Sequence, residues 1–224
     1  MYVKELHNLN EIGRVERRGI YKHYVYKSNM HYFQACDYMQ KINYCIQDLN
    51  NEIPTLYDLS NKNVVYIITL VTWISEAVNA LLDLYKEPYL EDFCYSFENE
   101  LKKADKYLKA IRSFVVAHPL KTDRHSKYGM NGKLICVDIK APGRYLSLIP
   151  EKDIWHLDYD ALHESTKREA DFYLYAFSTK IEKKDVSVHI GCCFKDIYHI
   201  AELYIEKLYA LDKHLKKQKR NTTE

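Results

Sequence analysis

The chain has few of the residues that break regular structure: 6 glycines and 5 prolines among 224 residues. The glycines form neither a GxGxxG pattern nor a GK[ST] phosphate loop, so nucleotide chemistry of those types has no support. The chain also lacks a GxSxG elbow and an HExxH helix, which removes the hydrolases and metalloproteases that depend on them. The net charge is only +2, so a nucleic-acid site would have to be a local patch.

The 6 cysteines include no CxxC pair, and no histidines accompany them at zinc-finger spacing. We therefore predict no metal and no cofactor, and we interpret the cysteines as buried thiols of a reducing compartment. The longest uncharged run, residues 63–75, is too short to span a bilayer. The N-terminal residues lack the apolar core of a signal peptide. These features predict a cytoplasmic protein that does not cross a membrane.

Apolar residues recur every three or four positions in four segments, which is typical of helices with one buried face. The first helix follows Ser28 as its N-cap and runs to about residue 50. The second begins after Asn61 or Asn63 and runs to about residue 86. Its centre, VVYIITLVTWI, is apolar on all sides, so it lies in the middle of a bundle or in a subunit interface. Because one subunit of this size would hardly cover that surface, we predict a homodimer built around the second and third helices.

The third helix is predicted to cover residues 90–119, since Pro119 disfavours helical backbone at the residue before it. The last helix covers residues 194–215. The basic tail beyond it, residues 216–224, lacks apolar spacing, so its removal is expected to cost little stability. Residues 1–27 contain glycines and a cluster of basic residues, which predicts an irregular basic arm.

Between the third and last helices, residues 119–190 are predicted to form an insertion with short strands. Residues 134–139 alternate in the way of a strand, and residues 145–149 are a second apolar run that is a candidate to pair with them. Residues 171–180 and 185–190 are predicted to form a hairpin across the charged turn EKKD.

Arg112 and His118 stand at the end of the third helix in the sequence RSFVVAH, and a basic loop follows them. An Arg and a His at this spacing, at the end of a long helix in a helical bundle, resemble the motif of the HEPN superfamily. The resemblance covers roughly residues 28–118 and the last helix, and it leaves residues 119–190 as an insertion. Ser113 occupies a position where members of the family more often have Asn, Asp or His.

The resemblance implies a metal-independent endoribonuclease of a toxin–antitoxin or phage-defence system. It also implies a homodimer in which the motifs of both subunits meet. The fold that we predict for residues 1–224 is accordingly a single, mainly α domain: an HEPN-like helical bundle with a small β-containing insertion between the third and last long helices.

The residue types suit that chemistry. His118 titrates near neutral pH and can act as a general base, while Arg112 stays charged and can hold two phosphate oxygens at once. Ser113 would hold a water or a phosphate oxygen. The residues expected to guide the RNA strand are Lys121, Arg124, His125 and Lys127.

Two alternatives to catalysis stay open. In one ideal α-helix, Arg112 and His118 point about 120° apart, so a second subunit or a distortion near Pro119 must bring them together. The pair is equally compatible with a structural role, in which Arg112 forms a salt bridge and His118 is a partly buried residue at a helix end. The second functional hypothesis is a non-catalytic module that binds RNA, a nucleotide or an antitoxin-type protein partner.

Overall fold

The computed structural model describes residues 3–12, 19–117, 123–128, 130, 133–139, 170–178 and 187–218. Its long helices are α1 (Asn29–Glu52), α2 (Asn61–Leu82), α3 (Glu98–Arg112) and α4 (Phe194–Lys217). Between α3 and α4 lies an antiparallel sheet of β1 (Lys133–Asp138), β2 (Phe172–Ser178) and β3 (Ser187–Cys192), with β2 in the centre. The predicted helical bundle with a small β-containing insertion is confirmed.

Serine caps set the start of the first two helices. The Ser28 hydroxyl accepts the backbone N–H of His31 at 3.3 Å, so the predicted cap of α1 is confirmed. The predicted caps of α2 were wrong, because the helix begins after Ser60. Ser60 and Asn63 form a reciprocal capping box, which satisfies the free N–H groups of the first turn.

The central helix is α2, which packs against α1, α3 and α4. Ile67 and Val71, in the middle of its apolar stretch, are fully buried within the single chain. By length and composition α2 is apolar enough to cross a membrane, but 61% of its most apolar window is buried inside the fold. Of the two placements predicted for this stretch, the middle of the bundle is therefore the observed one.

The helix α2 ends at Leu82, four residues earlier than predicted, because the next residues pair with the N-terminal arm. The Lys86 N–H donates to the carbonyl of Val25 at 2.9 Å. Beside this contact the rings of Tyr26 and Tyr85 stack, with centroids 4.6 Å apart and hydroxyl oxygens 3.0 Å apart. An extended pairing that uses these backbone groups is incompatible with a further helical turn.

The helix α3 begins at Glu98, so the predicted start at residue 90 was wrong by eight residues. The preceding segment places Phe93, Tyr95 and Phe97 in a series of ring contacts, with centroids 5.6 and 4.9 Å apart. Residues 91–97 form turns and irregular backbone, which bring the three rings together, whereas a helix would spread them around its axis. Ring packing therefore prevails over the weaker helical pattern here.

The N-terminal arm is fastened to the end of α4. The buried carboxylate of Asp212 accepts the backbone N–H groups of Gly19 and Ile20, each at 3.0 Å. A Cβ atom on Gly19 would lie 2.1 Å from the Asp212 carbonyl oxygen, so only glycine fits there. The Lys22 ammonium donates to the carbonyls of Leu215, Lys216 and Gln218. Residues 216–218, part of the tail that was expected to be dispensable, therefore contact the N-terminal arm, and we expect their removal to lower the stability.

The sheet confirms two sequence predictions. Residues 134–139 largely coincide with β1, and the predicted hairpin is the antiparallel pair of β2 and β3. Along its length β1 pairs with β2, while residues 145–149 lie outside the described residues. The Phe172 ring at the start of β2 packs against Phe194 at the start of α4, with centroids 5.2 Å apart, which joins the sheet to the bundle.

All six cysteines are free thiols, and their burial is mixed. The three buried thiols are those of Cys45, Cys192 and Cys193. The prediction of burial was wrong for Cys94 and Cys136, which are exposed. Cys94 lies in the segment that is not helical, and Cys136 follows the buried Ile135 on an edge strand, where alternate side chains face solvent.

Candidate functional site

Arg112 is the last residue of α3, and its side chain is 44% exposed. Its Nη1 lies 3.1 Å from Oε1 of Glu76 on α2, whose side chain is 54% exposed. An ion pair this exposed contributes about 1 kcal/mol at most, because water screens both charges. A phosphate group can therefore compete with the Glu76 carboxylate for the guanidinium.

A π-helical segment, Ser113–Ala117, follows Arg112 directly. Segments of this kind often lie at functional sites, because the wider turn changes where the following side chains point. The angle of about 120° between Arg112 and His118 assumes the α-helical rotation of about 100° per residue. That rotation does not apply beyond Ser113, where the π-helical segment begins. His118 itself lies outside the described residues.

A short 3-10 helix, Asp123–Tyr128, packs against this segment. The Phe114 ring contacts the rings of His125 and Tyr128 edge-on, with centroids 5.1 and 5.3 Å apart. Arg124 and Lys127 on the same turn are exposed. The Lys127 ammonium lies 4.8 Å from the centroid of the Tyr128 ring. The turn thus carries two exposed cations. It packs against Phe114, which is two residues after Arg112 in the chain.

The other predicted site residues divide into buried and undescribed ones. His125 was predicted to contact RNA, but it is fully buried against Phe114 and serves to anchor the turn. Ser113 is only 8% exposed and is adjacent to Arg112 in the helix, so the two side chains point in different directions. Lys121, like His118, lies outside the described residues.

Sequence reasoning missed Glu76 and the two aromatic contacts that shape this region. A signal for Glu76 existed: it is the single carboxylate in the apolar helix α2. One turn before it, Trp73 is 40% exposed, and the Lys41 ammonium of α1 lies 3.6 Å from the centroid of its ring. Lys41, Trp73, Glu76 and Arg112 therefore form a row across α1, α2 and α3, which we call the cross-helix row.

Two further features bear on the choice of site. Within the part of the chain that the structure describes, no group of three or more His, Cys, Asp and Glu side chains is arranged to hold a metal ion. An open groove of about 700 Å³ lies between the N-terminal arm and α4 and contains none of the predicted site residues. Its polar lining is mainly acidic, which does not suit a phosphate: Glu5, His7, Asn8, Glu11 and Glu206.

No family model, no curated protein and no solved structure matches this chain. The interpretation of the site therefore depends on its residues and geometry.

Proposed function

We propose that the protein is an HEPN-like, metal-independent endoribonuclease that acts in the cytoplasm, in a toxin–antitoxin or phage-defence system. The observation that carries the proposal is the position of Arg112: an exposed guanidinium at the junction of an α-helix and a π-helical segment. The exposed cations Arg124 and Lys127, on a turn packed against the same segment, supply further positive charge for an RNA backbone.

The reaction uses the RNA's own 2′-hydroxyl as the nucleophile. His118 takes the proton from that hydroxyl. The 2′ oxygen then forms a bond to the adjacent phosphorus, and the bond between phosphorus and the 5′ oxygen breaks. The leaving oxygen takes up a proton, and the product carries a 2′,3′-cyclic phosphate. Arg112 holds the phosphate oxygens, where negative charge accumulates as the phosphorus becomes crowded.

The reaction uses histidine in two protonation states, because the neutral imidazole acts as the base and the protonated imidazole acts as the acid. A protonated histidine is the better acid for the leaving oxygen, so the base and acid roles can be shared by the two His118 side chains of a dimer. This division is one reason for the proposed homodimer, beside the dimeric arrangement that the resemblance implies.

Exposed apolar side chains support self-association. Met30 and Phe33, three residues apart on α1, are 65% and 59% exposed. Aromatic and Met side chains of this kind are enriched in the buried centres of protein interfaces. An antitoxin-type protein partner would bind the same surface or cover the site. Ile67 and Val71 are buried within the single chain.

The second candidate is a non-catalytic RNA-binding module. The ion pair of Arg112 with Glu76 favours it, because a neutralised guanidinium is a weaker phosphate clamp than a free one. The burial of Ser113 favours it too, since the polar residue beside the arginine is not available to the phosphate.

The test compares RNA cleavage by the wild-type protein, Arg112→Ala and His118→Ala, with the melting temperature of each. We expect both variants to lose about 10²–10⁴-fold in rate. Arg112→Ala should keep its stability to within about 1 kcal/mol, because the lost ion pair is exposed. If both variants melt early and the wild type leaves single-stranded RNA intact, the pair is structural and the catalytic proposal is wrong.

A further inference from the structure

Trp73 is a large apolar side chain at the surface of the central helix. The residue is 40% exposed, and it lies one helical turn from Glu76, the residue that pairs with Arg112. The Lys41 ammonium lies 3.6 Å from the ring centroid. The cross-helix row therefore presents a cation, an aromatic ring, a carboxylate and a second cation in sequence along one surface.

This order of groups matches the chemistry of a single strand of nucleic acid. Exposed aromatic rings stack on unpaired bases, and neighbouring Lys and Arg side chains contact the phosphates between them. A duplex hides the faces of its bases, so it cannot use the ring. The Lys41 ammonium lies over one face of the indole, which attracts positive charge. When a base stacks on that face, the ammonium moves aside and can contact the neighbouring phosphate.

We propose that Trp73 is a stacking platform for a base of single-stranded RNA, and that Lys41 and Arg112 contact the phosphates on its two sides. This inference rests on the proposed ribonuclease function and names its substrate class: unpaired RNA that crosses α1, α2 and α3 on its way to Arg112. The rival occupant is a second copy of the chain. The row favours RNA because its two cations flank the ring, with one carboxylate, Glu76, between ring and guanidinium.

The experiment uses a short, fluorescently labelled 2′-O-methyl RNA, which keeps the bases and phosphates of RNA but lacks the free hydroxyl needed for cleavage. Affinity is measured by fluorescence anisotropy for the wild type, Trp73→Ala and Trp73→Phe. Tyr57→Ala is the matched control, because Tyr57 is an aromatic residue that is 81% exposed outside the cross-helix row. A duplex of the same sequence is measured in parallel, and melting temperatures verify folding.

We expect Trp73→Ala to bind the single strand about 5- to 100-fold more weakly, and Trp73→Phe and Tyr57→Ala to bind within about 3-fold of the wild type. Duplex affinity should be the same for all four proteins. Equal single-strand affinity of the wild type and Trp73→Ala would overturn the inference. If Trp73→Ala instead converts a wild-type dimer to a monomer in light scattering, with unchanged RNA affinity, the surface binds a second copy.

The probe separates this inference from the proposed function. Because it cannot be cleaved, the role of Trp73 is measured whether or not the protein is a ribonuclease. If wild-type protein and Trp73→Ala cleave ordinary RNA equally and bind the probe equally, the proposed function stands and the stacking inference fails. If no RNA is cleaved but Trp73→Ala loses affinity, the stacking site belongs to a binding module.

Discussion

Replacing Glu76 with Gln should strengthen the binding of RNA at Arg112. The ion pair between the two side chains spans 3.1 Å and is about half exposed on both sides, so it is worth about 0.2–1 kcal/mol. A phosphate that binds the guanidinium must first displace the carboxylate. Without the charge of the carboxylate, RNA no longer has to break the ion pair, so the free energy of binding is more favourable by about 0.2–1 kcal/mol. This corresponds to an affinity about 1.4- to 5-fold higher.

The assay is fluorescence anisotropy with the uncleavable 2′-O-methyl RNA at low salt, where phosphate contacts are strongest. Glu98→Gln is the matched control. Glu98 is also an exposed glutamate paired with a cation, Lys102 at 2.6 Å, and it lies about 21 Å from Arg112 along α3. Both substitutions raise the net charge by one, so the difference between them isolates the local effect on Arg112.

Glu76→Gln should exceed Glu98→Gln in affinity, and the difference should shrink as the salt concentration rises. Equal affinities for the two variants, or weaker binding by Glu76→Gln, would show that Arg112 does not contact phosphate. In an Arg112→Ala background, we expect Glu76→Gln and Glu98→Gln to bind with equal affinity. The Glu76 carboxylate then has no guanidinium with which to compete against a phosphate.

Three further predictions concern stability. Asp212→Ala removes the acceptor of two buried N–H groups and should lower the free energy of unfolding by about 3 kcal/mol or more. The melting temperature should therefore fall by about 6–12 °C. Asp212→Asn keeps an acceptor, so its effect should be smaller. Removal of residues 219–224 should leave the melting temperature unchanged, while removal of 216–224 should lower it; equal effects would show that Lys22 does not dock there. Burial raises the pKa of eight tyrosines among the described residues above the ordinary 10.0, and most strongly that of five of them. Above pH 10 these five ionise first in the unfolded chain, so each should lower the free energy of unfolding by up to about 1.4 kcal/mol per pH unit, as measured by denaturation at pH 9–11. The five residues are Tyr26, Tyr85, Tyr107, Tyr198 and Tyr204. Unfolding that does not depend on pH over this range would contradict the last prediction.

The features that sequence predicted well are the local ones. The three- and four-residue spacing of α1 and α4, the Ser28 cap and the hairpin of β2 and β3 are all set by neighbours along the chain. Such patterns are visible without a structure, because they reflect the geometry of a single helix or strand pair.

The features that sequence missed depend on distant partners. The early end of α2 requires the arm residue Val25, and the late start of α3 requires a series of tilted ring contacts from Phe93 to Phe97. At the site, the position of Arg112 was predicted, but its partner Glu76 lies on another helix. The burial of His125 follows from its packing on Phe114, and a basic loop in the sequence gives no sign of which residue turns inward.

The central claim is that Arg112 and His118 cleave RNA without a metal ion. The measurement that tests it most directly is the chemical identification of the product ends after purified protein has acted on labelled single-stranded RNA in the presence of a chelator. The account predicts 2′,3′-cyclic phosphate ends from the wild type, and none from a His118→Ala variant that keeps the wild-type melting temperature. Intact RNA, cleavage that needs an added divalent metal, or equal cleavage by His118→Ala would contradict it.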